Sequence, residues 1–230
     1  MAKRGNSEVL CPFERRYYVD LTHTFTKREE IANSITHGIG ALFSIAALVL
    51  LIVFASMQGD AWYIVSFAIY GATMVILYTA STLVHSFPPG KVKHIFEILD
   101  HSAIYFFIAG TYTPFLLIAI QGALGWTLLG IVWGLAIFGT VFKVFFVDRF
   151  LQLSTVLYII IGWLIVFAWK PLIAAVPDYG VVFLVIGGII YSVGAIFYVW
   201  RGFEYHHAVW HLFVLVGSVL HFLAVMSLLG

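Results

Sequence analysis

The chain is expected to be an all-α integral membrane protein, a seven-transmembrane helix bundle with its amino terminus in the cytoplasm and its carboxyl terminus outside. Three observations predict this. Of 230 residues, 62% are apolar and only 10% charged, and the mean hydropathy is +1.02, well outside the range of a soluble domain. The apolar residues gather in seven continuous stretches with no alternation, so helices rather than barrel strands satisfy the backbone in lipid. Eleven of the twelve basic residues fall on one side of the membrane once those stretches are taken as crossings, which sets the orientation.

The stretches run Ile39 to Met57, Trp62 to Phe87, Ser102 to Ile120, Ala123 to Phe146, Ser154 to Trp169, Val181 to Trp200 and Ala208 to Leu229. Most reach the roughly 20 residues a helix needs to cross a bilayer, and the fifth is short unless Lys170 snorkels. Residues 1–25 read as a cytoplasmic leader, too charged to be a cleavable signal peptide. Residues 26–230 read as a single membrane domain. Thr26-Lys-Arg-Glu29 fits a capping box, which predicts a short interfacial helix over 26–37 before the first span. Phe87-Pro-Pro-Gly90 closes the second span, because proline cannot continue a helix and restricts the residue before it. Lys170 is the one basic residue assigned to the outside; Lys143 and Lys170 both fall at span ends.

The net charge of +1 reflects basic residues spread along inner loops, and no nucleic-acid partner is suggested. Cys11 is the single cysteine, so an intrachain disulfide and a cysteine-based metal site are excluded. The chain has no Gly-x-Ser-x-Gly elbow, no His-Glu-x2-His and no phosphate-binding glycine loop. A retinal Schiff base finds no suitably placed lysine. No oligomeric state follows from the sequence.

The chemistry-bearing residues concentrate at the inner end of the bundle. His207 and His211 are four apart at the entry of the last span, which puts both imidazoles on one helix face. Histidine within a membrane segment is costly and marks a candidate functional site. Ser81 and His85 share a face near the inner end of the second span, and Asp100 stands at the inner start of the third. Glu30, Asn33 and His37 share a face just before the first span. A catalytic zinc site takes three protein ligands plus water, and His85, His207 and His211 supply such a set for Zn2+. Asp100 is the candidate proton acceptor, and Ser81 the candidate to hold water, hold an oxyanion or orient the His85 ring. Glu30, Asn33 and His37 read as a supporting network.

The patterns Glu30-x2-Asn33-x3-His37, Ser81-x3-His85 followed by Asp100, and His207-x3-His211 resemble the three signature motifs of the progestin and adipoQ receptor family, whose bacterial branch is called haemolysin III. The resemblance covers all seven spans and the inside amino terminus. It implies an intramembrane zinc held by His85, His207 and His211, with Asp100 and Ser81 beside it. It also implies a place in the bacterial cytoplasmic (inner) membrane and a contribution to membrane lipid homeostasis, since relatives are similar to alkaline ceramidases.

Other histidines compete less well. His206 points about 100° from His207 on a helix, and His101 adjoins Asp100. His221 is about 15 Å deeper than His211 and reads as a packing residue. His94 is assigned to the inner loop and His23 to the leader. A haem held by His85 and His211 leaves Asp100 unexplained. The leading functional expectation is a zinc-dependent hydrolase acting on an amide or ester bond of a membrane lipid. The alternatives are a zinc-stabilised receptor or regulator that takes lipid as ligand, and a haemolysin-type lytic protein.

Overall fold

The computed structural model describes residues 25–58, 61–147 and 149–230, so the expected leader lies outside the described residues apart from Phe25. Regular structure among the described residues is entirely helical. The main elements are α1 (Lys27–Gln58), α2 (Ala61–Ser86), α3 (Lys91–Pro114), α4 (Gly122–Phe146), α5 (Leu151–Gly162), α6 (Trp169–Ala175), α7 (Asp178–Val199) and α8 (His206–Met226). With α5 and α6 joined in one crossing, seven segments of 22 to 31 residues are long and apolar enough to cross a membrane. The chain is a multi-pass membrane protein.

Helix α1 begins where the capping box predicts. Thr26 donates to the Glu29 carboxylate from both its backbone N–H and its hydroxyl, each at 2.8 Å, and the Glu29 N–H donates back to Thr26 Oγ1 at 3.3 Å. The helix does not pause between 37 and 39, however: the expected interfacial helix and the first span are one continuous element of 32 residues. Gly40 serves close packing rather than a break, since a Cβ there would stand 2.3 Å from the Tyr78 ring. Helix α3 likewise starts at Lys91 rather than near Ser102, which places His94 on a helix, not in a loop. The early turns carry Lys93, Glu97, Asp100 and His101, whose charges read as loop by hydropathy; in the fold Lys93, Asp100 and His101 face protein partners or the interior.

Two crossings depart from regular α-helix. Pro114 removes one rung of the α3 ladder, and a π-helical turn, Phe115–Ile120, follows it. The fifth crossing breaks after Gly162 into a 3-10 segment, Leu164–Ala168, then restarts as α6. Pro171 sits in the first turn of α6, where no intrahelical N–H bond is needed. The crossing therefore continues past Lys170 to Ala175 and is not short. At the break, the Tyr112 hydroxyl of α3 donates to the carbonyls of Ile161 (2.9 Å) and Gly162 (2.8 Å) and accepts from the Ile165 N–H at 2.8 Å. Backbone groups freed in a bilayer need such internal partners.

Lys143, expected at a span end, is fully buried within α4 and reaches toward that end, its ammonium 3.5 Å from the Val147 carbonyl. Large apolar side chains such as Leu42, Phe138, Phe145 and Phe167 face outward, as lipid contact requires. The interior is rich in tyrosine: Tyr78 donates to Ser218 at 2.8 Å and Tyr191 pairs with the same hydroxyl at 2.9 Å, joining α2, α7 and α8.

Hydrogen bonds between distant residues fix which helix ends meet. Glu30 of α1 contacts His85 of α2 and Lys93 of α3, the Tyr205 N–H before α8 donates to Glu29 at 3.2 Å, and His101 of α3 meets Tyr198 of α7 at 2.8 Å. At the opposite end the Tyr63 hydroxyl donates to the Leu228 carbonyl. The closest helix pairings are α1 with α2, α2 with α3 and α7 with α8, while α5 packs lightly on its neighbours. A cavity of about 130 Å³ lies between α3, α5, α7 and α8, with His37 of α1 and Leu77 and Ser81 of α2 completing its wall.

Replacing Tyr112 by Phe should leave the backbone at the α5 break unpaired and lower stability by about 1–3 kcal/mol. The check is the thermal unfolding midpoint of the purified protein in detergent, and an unchanged midpoint would mean that the hydroxyl does not hold the break.

Candidate metal centre

Helix α1 supplies the frame on which the candidate ligands are oriented. Glu30, Asn33 and His37 recur at spacings of three and four, so they form one face of α1 turned toward α2 and α8. One oxygen of the Glu30 carboxylate accepts from His85 Nδ1 at 2.6 Å, and the other pairs with the Lys93 ammonium. Because a carboxylate beside an imidazole accepts the ring proton, His85 carries its hydrogen on Nδ1 and presents a lone pair at Nε2. That Nε2 is buried with no protein partner.

His211 is fixed in the same tautomer by different means. Its Nδ1 lies 3.2 Å from the backbone carbonyl of Asn33, which only accepts, and 3.1 Å from Thr36 Oγ1, which spends its own hydrogen on the Ala32 and Asn33 carbonyls. The hydrogen is therefore on Nδ1 and the lone pair on Nε2. His207 is one turn earlier on α8 and meets the His211 ring at 4.5 Å and the His85 ring at 5.1 Å. Among the described residues, His85, His207 and His211 form a group whose potential ligand atoms all lie within 4.8 Å of one another. Three imidazoles on two helices, two of them with their second nitrogen anchored, match the donor set of a zinc site. The orphaned Nε2 of His85 fits an ion, since leaving it unpaired costs about 1–3 kcal/mol.

Asp100 and Ser81 line the same cavity as His207 and His211. Ser81 approaches the Asp100 carboxylate closely, short of well-formed hydrogen-bond geometry. Ser81 does not orient the His85 ring, since Glu30 occupies that nitrogen, and this corrects one of the roles expected for the serine. From this polar end the cavity extends past Ile104, Phe107 and Val214 to His221, about 15 Å along α8.

The remaining histidines take other partners. His101 donates from Nδ1 to the Glu97 carbonyl and accepts at Nε2 from the Tyr198 hydroxyl. His206 donates to the Phe197 carbonyl at 3.3 Å. His221 donates to the Leu184 carbonyl at 3.1 Å and packs edge-on against Tyr191. His37 is 3% exposed, stacks on His211 with ring centroids 3.4 Å apart and has neither nitrogen paired. The Asn33 side chain is also buried and unpaired; its backbone carbonyl is the part that reaches the cluster. Phe25, which the sequence marks only as one of several leader aromatics able to touch lipid or protein, has its ring 5.0 Å from His207 and 5.8 Å from His85, against the cluster.

A family model described as haemolysin-III related matches residues 25–222, which is nearly the whole described chain. The chain belongs to the haemolysin-III related family. It is 58% identical to the hemolysin-3 homolog of Bacillus subtilis (strain 168) over 202 residues, covering 88% of this chain and 95% of that one. It is 57% identical to hemolysin-3 of Bacillus cereus over 199 residues, covering 86% and 91%. A more distant relative is the human monocyte to macrophage differentiation factor, 28% identical over 204 residues and covering 86% and 83%. No solved structure matches the chain. The family match spans every residue of the cluster, from Phe25 through His211.

Replacing Glu30 by Gln keeps the shape and removes the charge behind His85. Metal affinity, measured by chelator competition on purified protein, should fall by about 10- to 100-fold; an undiminished affinity would assign Glu30 to helix packing alone.

Proposed function

We propose that this haemolysin III protein is a zinc-dependent hydrolase of the bacterial cytoplasmic membrane, acting on an amide or ester bond of a membrane lipid and so contributing to membrane lipid homeostasis. The observation that carries the proposal is the clustering of His85, His207 and His211, two of which, His207 and His211, line a largely apolar cavity together with Asp100. The amino terminus is cytoplasmic in this reading, because the end of the bundle holding the cluster also holds most of the basic residues.

His85, His207 and His211 hold the ion, and Glu30 and the Asn33 carbonyl hold the rings of His85 and His211 in place. Zinc in such a site supplies Lewis acidity, lowering the pKa of water and polarising a carbonyl. Asp100 takes the proton from the attacking water at its carboxylate and returns it to the leaving group. The Ser81 hydroxyl, buried in the cavity wall without a hydrogen-bond partner in the protein, holds the water or the developing oxyanion. The apolar walls formed by Ile104, Phe107 and Val214 receive a hydrocarbon tail and keep bulk water away, and the Phe25 ring covers the cluster from the leader side.

A lytic function is a second reading, favoured by the name hemolysin-3 carried by the two Bacillus relatives. Membrane damage through lipid turnover reconciles it with the cavity, whose surface is largely apolar.

Elemental analysis of detergent-purified protein should find about one zinc per chain, as expected for a three-histidine set with an open fourth position, and His211→Ala should lose it while remaining folded. Asp100→Asn should keep the zinc and lose hydrolysis of whichever ceramide or phospholipid the wild type cleaves, by about 100-fold or more for the loss of a general base. Freshly purified wild type without zinc would overturn the hydrolase reading. Unimpaired hydrolysis in a zinc-loaded Asp100→Asn variant would remove Asp100 from the chemistry.

A further inference from the structure

His37 stands out as a buried imidazole with no task in holding the cluster together. Both of its ring nitrogens lack a protein partner although the residue is almost completely shielded from solvent. One face lies flat on His211, with 16° between the planes, and Tyr78 stands nearly perpendicular to the ring at 79° with centroids 5.0 Å apart. The two unpaired nitrogens sit on the ring edge, and His37 lines the same cavity as Ser81, Asp100, His207 and His211.

The stacking decides what that edge does not do. Imidazole lone pairs lie in the ring plane. An ion held in the plane of His211 lies well out of the plane of a ring stacked 3.4 Å away, so His37 does not aim at the point where the three ligands converge. The ligand group of His85, His207 and His211 accordingly does not include it. Asn33, one turn earlier and equally unpaired, is not part of the cavity wall, which leaves His37 as the α1 side chain that meets the cavity contents.

We infer that His37 is a substrate-contacting residue whose ring edge hydrogen-bonds the N–H or O–H group next to the bond being cleaved, and so selects lipids that carry such a group beside the carbonyl. A neutral imidazole offers one donor and one acceptor, which matches an amide or hydroxyl and is poorly suited to a head that neither donates nor accepts strongly. A buried pair of unsatisfied nitrogens rejects the latter, because occupancy would leave them unpaired. This rests on the hydrolase reading above and adds the group that is recognised.

The test uses the zinc-loaded full-length protein in detergent and two probes with the same tail: dodecanohydroxamic acid, which brings N–H and O–H groups to a metal, and dodecanethiol, which does not. Binding is read by titration calorimetry, with zinc content measured on the same samples. His37→Phe keeps a flat ring for stacking and should retain the zinc, bind the hydroxamic acid about tenfold more weakly and bind the thiol within about twofold of wild type. His37→Gln, which regains a donor and an acceptor, should recover most of the hydroxamic acid affinity. Equal weakening of both probes, or loss of zinc, would assign His37 to packing or to the metal site instead, and unchanged affinity for both would remove it from the substrate contact. Zinc-free wild type would overturn the hydrolase reading itself, a result distinct from zinc-loaded protein with probe binding insensitive to His37.

Discussion

A carboxylate near the end of a membrane-embedded bundle cannot stay charged without partners, and Glu30 has two, from two different helices. His85 on α2 and Lys93 on α3 each take one of its oxygens, so a single group sets the relative height of three helices. Such a half-buried ionic contact adds little net stability, because desolvation offsets much of the attraction, but removal of one member leaves an uncompensated charge. Its value is in register. With the adjacent Glu29 accepting from both Thr26 and the Tyr205 N–H, the same turn of α1 also positions the start of α8. The heights of His85, His207 and His211 all follow from that turn.

Deeper in the bundle the same rule acts through neutral groups. Tyr78, Tyr191 and Ser218 satisfy one another across three helices, and Tyr112 serves the broken backbone of the fifth crossing. Lipid offers no alternative partners, so each of these bonds specifies a pairing of helices. The break in the fifth crossing and its light packing leave space between α5 and the helices around it, and the cavity occupies that space. Ligand space in this fold is thus a consequence of helix irregularity that the tyrosines make tolerable.

The cavity and the histidine cluster together explain why polar chemistry and apolar volume are separated along the bundle axis. At one end, imidazoles, a carboxylate and a hydroxyl face inward within reach of one another. Beyond them the walls present mostly apolar surface, because Thr111, Tyr112, Thr155, Tyr191, Ser192 and His221 spend their polar groups on partners inside the protein. A molecule with a polar reactive group and a long hydrocarbon part fits that gradient, whereas a fully polar one does not, since it would leave its hydrogen-bonding groups unmatched along the apolar walls.

Hydropathy alone determined the number of crossings, because about 20 apolar residues per crossing is a requirement of the bilayer and not of packing. The capping box at Thr26 and the stop at Phe87-Pro-Pro-Gly90 were legible for similar reasons, being local backbone rules. The i,i+4 spacing of His207 and His211 also announced a shared face. Sequence could not show that α1 runs unbroken through Gly38 and Gly40, or that α3 begins at Lys91, since hydropathy counts a charged residue as loop even when its partner is another helix. Nor could it tell that Glu30 rather than Ser81 orients His85, that His37 lies flat against His211, or that Phe25 covers the cluster. Those are contacts between residues tens to nearly two hundred positions apart, and only the tertiary structure, by fixing the heights and rotations of the helices, decided them.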